Sequence, residues 1–170
     1  VKEGLVDPNR MAMFGWSYGG YAALVAASRE DQMYQCVIAG AAVTDPDMQV
    51  DYYRYAIEGA PKIEQLNTWD QAVSPMKEVD KINVPLLIVH GDNDQRVPPE
   101  HFDKYIAALD RANVPYEKLI LEGADHFENT LFYDHKMALY TNLLRFLNED
   151  CSMGAGGGGS VASLDVTDNQ

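Results

Sequence analysis

Basic side chains are scarce in this sequence of 170 residues: 13 lysines and arginines stand against 26 aspartates and glutamates, a formal net charge of −13. Nucleic acids and anionic membrane surfaces attract clustered Lys and Arg, so the charge balance argues against both as partners. Long apolar runs are lacking as well. The longest covers residues 36–43, far short of the roughly 20 residues that a membrane-spanning helix needs. We therefore expect neither a nucleic-acid partner nor a membrane span in this chain.

Cysteine is also rare, since only Cys36 and Cys151 are present. Two cysteines are too few for the disulfide framework of a small secreted domain. The sequence begins at Val1 without a basic-then-apolar leader, so the compartment, cytoplasmic or periplasmic, stays open. Hydrophobic residues make up 46% and aromatic residues 10% of the chain, a composition typical of a globular domain with a packed core.

Apolar segments alternate with amphipathic ones along the chain. The pattern predicts strands at residues 10–16, 36–43, 84–90 and 116–121, and helices at 21–28, 99–112 and 135–147. This alternation is typical of βαβ units in a parallel sheet. Residues 44–82 form a long polar excursion in which we expect further helices. We expect one domain over residues 1–150 and a flexible glycine-rich tail over 151–170.

The strongest chemical signal is a G-x-S-x-G motif at residues 15–19, placed between a predicted strand and a predicted helix. This is the setting of a nucleophile elbow, in which small flanking residues let the strand and helix pass closely. Ser17 is therefore a candidate nucleophile at a helix N-terminus, where the helix dipole favours developing negative charge. The backbone N–H of Tyr18 is the candidate oxyanion donor. The alternative is a glycine-rich turn that merely contains a serine.

A serine nucleophile needs a general base. In the fold that carries a nucleophile elbow, the base is a histidine after the last strand. His126 occupies that position. The other three histidines suit the role less well. His90 lies at a strand end, where a structural hydrogen bond is expected. His101 and His135 lie early in amphipathic helices, where we expect exposure to solvent.

The acid that orients the base is expected after the third strand, where Asp92 and Asp94 both lie. Spacing alone leaves the two open, although Asp94 lies further out, where the loop can fold back toward His126. Asp125 is adjacent to the base and is expected to point elsewhere. For each aspartate the alternative is capping of a turn.

Three segments together resemble the catalytic motifs of the prolyl oligopeptidase family of serine peptidases: GWSYGGY, HGDNDQRVPPEH and GADHFENT. The resemblance extends over residues 10–147, and the family includes dipeptidyl and acylaminoacyl peptidases. Its HGxxDxxV pattern implies that Asp94 is the catalytic aspartate, with Ser17 as nucleophile and His126 as base. It also implies a peptide substrate, an acyl-enzyme intermediate, and neither a metal nor an organic cofactor.

The resemblance further implies a substrate pocket with aromatic residues from the excursion after the second strand. Tyr52 and Tyr53 are the candidates, with Trp16 and Tyr18 nearby. The alternative for these side chains is packing in the core.

The expected fold is a partial α/β-hydrolase: about four parallel strands with flanking helices. Such a fold places about four further strands and a second oxyanion donor before its elbow, and only 16 residues precede Ser17. We expect the first strand to be an exposed edge. The missing half of the sheet is expected elsewhere in the same protein, and the resemblance implies a β-propeller there as well.

The sequence thus predicts a serine peptidase, with a dipeptidyl aminopeptidase as the narrower case. The alternatives are a carboxylesterase or lipase of the same fold, and an inactive fragment that needs its missing half. Residue preference and oligomeric state stay open.

Overall fold

The computed structural model describes residues 3–56, 72–127 and 131–151. Within these ranges the chain forms a parallel sheet of four strands in the order β1-β2-β3-β4. The strands are Ala12–Trp16, Cys36–Gly40, Leu86–Gly91 and Glu117–Leu121. The helices are α1 (Tyr18–Ala27), α2 (Pro46–Ala56), α3 (Glu100–Ala112) and α4 (Tyr133–Glu149), and single 3-10 turns cover Pro75–Lys77 and Val79–Lys81. All three strand pairings are parallel, as predicted.

The two central strands are buried along their whole length, which explains their continuous apolar runs in the sequence. Alternate side chains pack on opposite faces of the sheet. Val37, Ala39, Leu86 and Ile88 join the residues of α1 and α3 on one face, and Ile38, Leu87 and Val89 join those of α4 on the other. The sheet is therefore the middle layer of a three-layer α/β domain.

The largest differences from the predicted boundaries, three residues each, are at the end of β2 and at the start of α1. Strand β2 ends at Gly40 rather than residue 43, because Ala41 turns out of the strand with φ 44°. Helix α1 begins at Tyr18, three residues early, and contains two glycines that lower helix propensity. One of them, Gly20, lies so close to β2 that a Cβ there would fall 2.5 Å from the Gly40 carbonyl oxygen. Close packing of helix on strand outweighs propensity at this position.

A disulfide joins Cys36, at the start of β2, to Cys151, just after α4. Their Cα atoms are 5.2 Å apart although 115 residues separate them along the chain. Cys151 is the first residue that we assigned to the tail, and it is buried. The bond fixes the end of α4 against the sheet, and residues 152–170 lie outside the described ranges.

Strand β1 lies at one edge of the sheet, with β2 as its neighbour. Within the described residues no strand pairs with its other side, in agreement with the expected exposed edge; Phe14 on this strand is 49% exposed. None of the helices in the described part of the chain is long and apolar enough to cross a bilayer.

Candidate active site

The turn between β1 and α1 holds Ser17 in a strained conformation. Its φ of 58° and ψ of −117° lie in a region that residues other than glycine rarely adopt. The Ser17 N–H donates to the Gly40 carbonyl at 2.8 Å. A Cβ at Gly15 would lie 2.0 Å from the Gly19 carbonyl oxygen, whereas a Cβ at Gly19 would meet no atom within 4 Å. The prediction that small residues are required is confirmed for the first glycine of the motif but is wrong for the second.

The imidazole of His126 lies between Ser17 and Asp94. Its Nε2 is 2.7 Å from the Ser17 hydroxyl oxygen, and its Nδ1 is 2.7 Å from Asp94 Oδ2. Asp94 is 2% and His126 8% exposed, so little water competes for these hydrogen bonds. Residues from the carboxyl ends of β1, β3 and β4 thus form one continuous hydrogen-bonded chain.

The other oxygen of Asp94 is held by the backbone of its own loop. Oδ1 accepts hydrogen bonds from the N–H groups of Arg96 and Val97, at 2.8 and 2.9 Å. The Val97 carbonyl lies 2.9 Å from His90 Nε2, and since a carbonyl only accepts, that nitrogen carries the proton. Burial lowers the pKa of His90 below its ordinary value and so disfavours the protonated ring. His90 is therefore the structural hydrogen-bond donor that its place in the sequence predicted.

Asp92 and Asp125, the two other aspartates of these loops, each accept a hydrogen bond from a backbone N–H. Asp92 Oδ1 accepts the Gly123 N–H at 2.5 Å and so ties the loop after β3 to the loop after β4. Asp125 Oδ1 accepts the N–H of Phe127, two residues on, at 3.0 Å. The Asp125 contact is the local turn capping that was the alternative for each aspartate, whereas the Asp92 contact joins residues 31 positions apart.

The expectation that His101 is exposed is wrong. The residue is 1% exposed, and its Nδ1 lies 3.2 Å from the Thr44 N–H, which can only donate. Burial lowers the pKa of His101 to about 3. It is the second residue of α3 and is buried like Phe102 and Tyr105, so its position early in the helix alone misled the prediction. His135 is half-buried, and its Nε2 lies 2.8 Å from the Glu122 carbonyl oxygen.

The predicted pocket tyrosines are not members of the hydrogen-bonded chain of Ser17, His126 and Asp94. The Tyr52 hydroxyl donates to the Gln95 carbonyl at 2.8 Å, one residue after Asp94. Tyr52 also lines a cavity of about 490 Å³ together with Met48, Asp51, Pro98, Glu100, His101 and Lys104. The Tyr53 ring lies 5.8 Å from that of Tyr52. Tyr18 is 63% exposed, and its ring lies 5.5 Å from that of Tyr21.

Trp16 makes a contact that the sequence did not reveal. Its indole N–H donates to the backbone carbonyl of His126 at 2.7 Å. The two residues are 110 positions apart, and no periodicity or motif signals a bond between a side chain and a distant backbone group.

The site contains acids, histidines and a serine but no evident metal centre: among the described ranges, no three His, Cys, Asp or Glu side chains are grouped to hold an ion. A parallel sheet with helices on both faces, with a serine at a strained strand–helix turn, defines the α/β-hydrolase class of fold. The model of the prolyl oligopeptidase family matches residues 1–154, and the chain belongs to this family of peptidases.

Curated relatives support the assignment. The chain is 27% identical over 154 residues to prolyl endopeptidase FAP of Homo sapiens, an alignment that covers 90% of the chain and 20% of the relative. It is 31% identical over 135 residues to dipeptidyl-peptidase 5 of Porphyromonas endodontalis, covering 74% of the chain and 19% of that protein. The chain thus spans about a fifth of the length of the curated relatives it matches.

Solved structures share the fold. The structure of Porphyromonas gingivalis dipeptidyl peptidase 4 matches with a TM-score of 0.68 and 25% identity, covering 85% of the chain and 20% of that protein. Pyrococcus horikoshii acylaminoacyl peptidase matches with a TM-score of 0.71 over 91% of the chain and 26% of its own. At 19% identity, the second likeness shows the fold alone.

Proposed function

We propose that this chain carries the catalytic triad of a serine peptidase, with Ser17 as nucleophile, His126 as general base and Asp94 as the acid that orients the base. The observation that carries the proposal is the pair of 2.7 Å contacts that joins the three side chains. Membership of a peptidase family favours peptide bonds as the substrate.

The geometry suits acyl transfer. As the Ser17 oxygen attacks the scissile carbonyl carbon, its proton passes to His126 Nε2, and Asp94 stabilises the imidazolium through Nδ1. The imidazolium then gives its proton to the leaving amine as the peptide C–N bond breaks, leaving an acyl-enzyme. A water molecule, deprotonated by the same Nε2, attacks the ester carbon; as the bond to the Ser17 oxygen breaks, Nε2 returns the proton to that oxygen and the carboxylic acid product is released.

Negative charge that develops on the carbonyl oxygen needs donors. The backbone N–H of Tyr18 lies in the first turn of α1, where the helix dipole favours an anion. Removing one such donor from a serine peptidase costs on the order of 10² to 10³ in turnover. We propose that a second donor comes from another part of the full-length protein.

The narrower proposal is a dipeptidyl aminopeptidase, supported by the dipeptidyl peptidases among the relatives. Tyr18, Tyr52 and Tyr53 would then line the pocket for the residue before the scissile bond. A carboxylesterase would use the same three catalytic side chains, so a comparison of substrates is needed to separate the two.

Labelling of the full-length protein with a fluorophosphonate tests the nucleophile. We expect Ser17→Ala to abolish labelling. The matched control is Ser28→Ala, at the far end of α1, where the hydroxyl bonds to Glu78; this variant should label normally. Labelling that survives Ser17→Ala would sink the assignment.

Substrate comparison tests the reaction. We expect hydrolysis of a dipeptidyl p-nitroanilide at a kcat/KM well above that of its N-acetylated form, because a dipeptidyl aminopeptidase requires a free amino terminus. Turnover of short-chain p-nitrophenyl esters without any turnover of the anilide would instead identify a carboxylesterase. The inactive-fragment alternative is tested by treating the 170-residue chain with the fluorophosphonate in parallel. This alternative predicts that the full-length protein is labelled and the 170-residue chain is not.

A further inference from the structure

We propose that Trp16 is a positioning residue of the triad: its indole N–H holds the loop that carries His126 and so keeps the imidazole between Ser17 and Asp94. This inference rests on the proposed function of the triad. It assigns to the residue before the nucleophile a role that is independent of substrate binding.

The hydrogen bond itself is the first observation. The Trp16 Nε1 lies 2.7 Å from the His126 carbonyl oxygen in a partly buried setting. An indole N–H can only donate and a carbonyl can only accept, so the direction of the bond is fixed. Trp16 ends β1, while His126 follows β4, and β2 and β3 lie between these strands in the sheet. The side chain therefore reaches past the carboxyl ends of the central strands to the loop that carries the base.

The end of β2 is shaped to let the indole pass. Gly40 is the register partner of Trp16. A Cβ at Gly40 would lie 2.0 Å from the Trp16 ring atom Cε3, so the ring rests directly on the backbone of β2. The Gly40 carbonyl also accepts the Ser17 N–H at 2.8 Å. Gly40 thus packs against the indole that holds the loop of the base, and it also accepts a hydrogen bond from the backbone of the nucleophile.

The end of β3 holds the same loop from the other side. A Cβ at Gly91 would lie 2.4 Å from the Ala124 carbonyl oxygen. That oxygen accepts the Asn93 N–H at 3.1 Å, and Asp92 accepts the Gly123 N–H. These contacts anchor the loop two to three residues before His126. The Trp16 bond is made at the His126 backbone itself, so of these loop contacts it lies nearest to the imidazole.

Loss of the indole N–H should therefore reduce catalysis more than substrate binding. With its carbonyl unpaired, the His126 backbone is free to shift, and the ring would spend less time aligned with both partners. A displacement of about 1 Å in a catalytic group can cost about 10²-fold in rate. We expect kcat to fall between about tenfold and a hundredfold, with KM unchanged.

The test uses the full-length protein with two replacements of Trp16. Trp16→Phe keeps an aromatic ring but lacks the N–H. Benzothienylalanine at position 16, a near isostere with sulfur in place of the N–H, keeps the shape and decides the outcome if the Phe variant folds poorly. The matched control is Tyr116→Phe, which deletes an aromatic donor bonded to Asp110, just before β4.

Three readouts separate positioning from a structural role: kcat and KM, thermal unfolding, and the far-downfield proton resonance of the His126–Asp94 hydrogen bond. We expect both Trp16 variants to lower kcat and to broaden that resonance, with a melting temperature near that of the Tyr116→Phe control. Wild-type kcat and resonance in the isostere would overturn the inference, as would a loss that simply follows thermal stability. Ser17→Ala, measured alongside, tests the proposed function separately. If this variant retains activity, the assignment of the triad is wrong. If it is inactive while the benzothienylalanine variant has wild-type kcat, only the positioning role of Trp16 is overturned.

Discussion

The carboxylate of Asp94 is held by the peptide of Val97, whose N–H lies 2.9 Å from Oδ1. This contact leaves Oδ2 directed at His126 Nδ1, 2.7 Å away. The Val97 carbonyl is itself fixed by His90. The orientation of the acid is therefore set by backbone and core contacts before any substrate binds.

Asp94→Asn tests the role of the charge. The amide is nearly isosteric, but an amide N–H facing His126 would favour the wrong imidazole tautomer and would not stabilise the imidazolium. We expect kcat to fall by about 10⁴-fold, as for the equivalent change in the serine protease triad, with little change in melting temperature. Steady-state hydrolysis of a dipeptidyl anilide by the full-length protein measures it. Asp92→Asn is the control, and a similar loss there would contradict the assignment.

His90→Leu tests the support behind Asp94. It leaves the Val97 carbonyl buried without its donor, which costs about 1–3 kcal/mol, and it loosens the loop that carries Asp94. We expect lower unfolding free energy and lower kcat. His90→Gln, which can place an N–H near the same carbonyl, should recover part of both. Denaturant unfolding and kinetics on the same samples check this, and equal losses in the two variants would argue against the hydrogen bond.

The two motif glycines offer a matched pair. Gly15→Ala places a Cβ 2.0 Å from the Gly19 carbonyl oxygen, so we expect severe destabilisation or failure to fold. Gly19→Ala meets open space inside α1, and we expect stability unchanged or raised by about 0.5–1 kcal/mol. Thermal unfolding of both variants gives the answer. Equal destabilisation would show that the elbow backbone differs from the one described.

Acid should destabilise the domain through its buried histidines. Burial lowers the pKa of His101 to about 3 from an ordinary 6.5, and it lowers that of His90 as well. The unfolded chain takes up these protons below pH 6.5, whereas the folded chain does not. The contribution of His101 to stability is therefore present above about pH 6.5 and is lost as the pH falls toward 3, by about 1.4 kcal/mol per pH unit. The lowered pKa of His90 acts in the same direction.

Unfolding free energy measured from pH 7 to pH 4 checks this dependence. His101→Gln retains an acceptor for the Thr44 N–H and removes one titrating group, so its curve should be flatter than that of the wild type. A slope unchanged by the substitution would show that His101 does not contribute to the acid sensitivity.

The disulfide should matter for stability rather than for chemistry. Cys36 and Cys151 are both buried, so replacing both with alanine avoids burying a hydroxyl group. Because the bond closes a loop of 115 residues, its loss should lower the unfolding free energy by about 2–5 kcal/mol, with kcat near normal at low temperature. Reductant should lower the melting temperature of the wild type and leave that of the double variant unchanged; a wild type indifferent to reductant would contradict the prediction.

Much of the fold could be predicted because the two central strands are buried on both faces. The runs at β2 and β3 are continuous and apolar for this reason, and the carboxyl ends of parallel strands meet at one edge, which brings Ser17, Asp94 and His126 together. The start of α1 was missed because Gly19 and Gly20 weaken the helix pattern.

Other features depend on contacts between distant parts of the chain. The Trp16–His126 bond, the pairing of Cys36 with Cys151 and the burial of His101 against Thr44 span 110, 115 and 57 residues. Each is decided by how helices and loops pack on the sheet, and local patterns carry no trace of them.

The link between Cys36 and Cys151 also divides the triad by covalent topology. Asp94 and His126 lie inside the closed ring of chain, and Ser17 lies outside it. A single proteolytic cut anywhere between the two cysteines would leave the acid and the base covalently joined to the nucleophile through the ring. A cut between Ser17 and Cys36 would separate the nucleophile from both. Between Ser17 and Cys36, therefore, cleavage of a single peptide bond removes the covalent connection between the nucleophile and the other two residues of the triad.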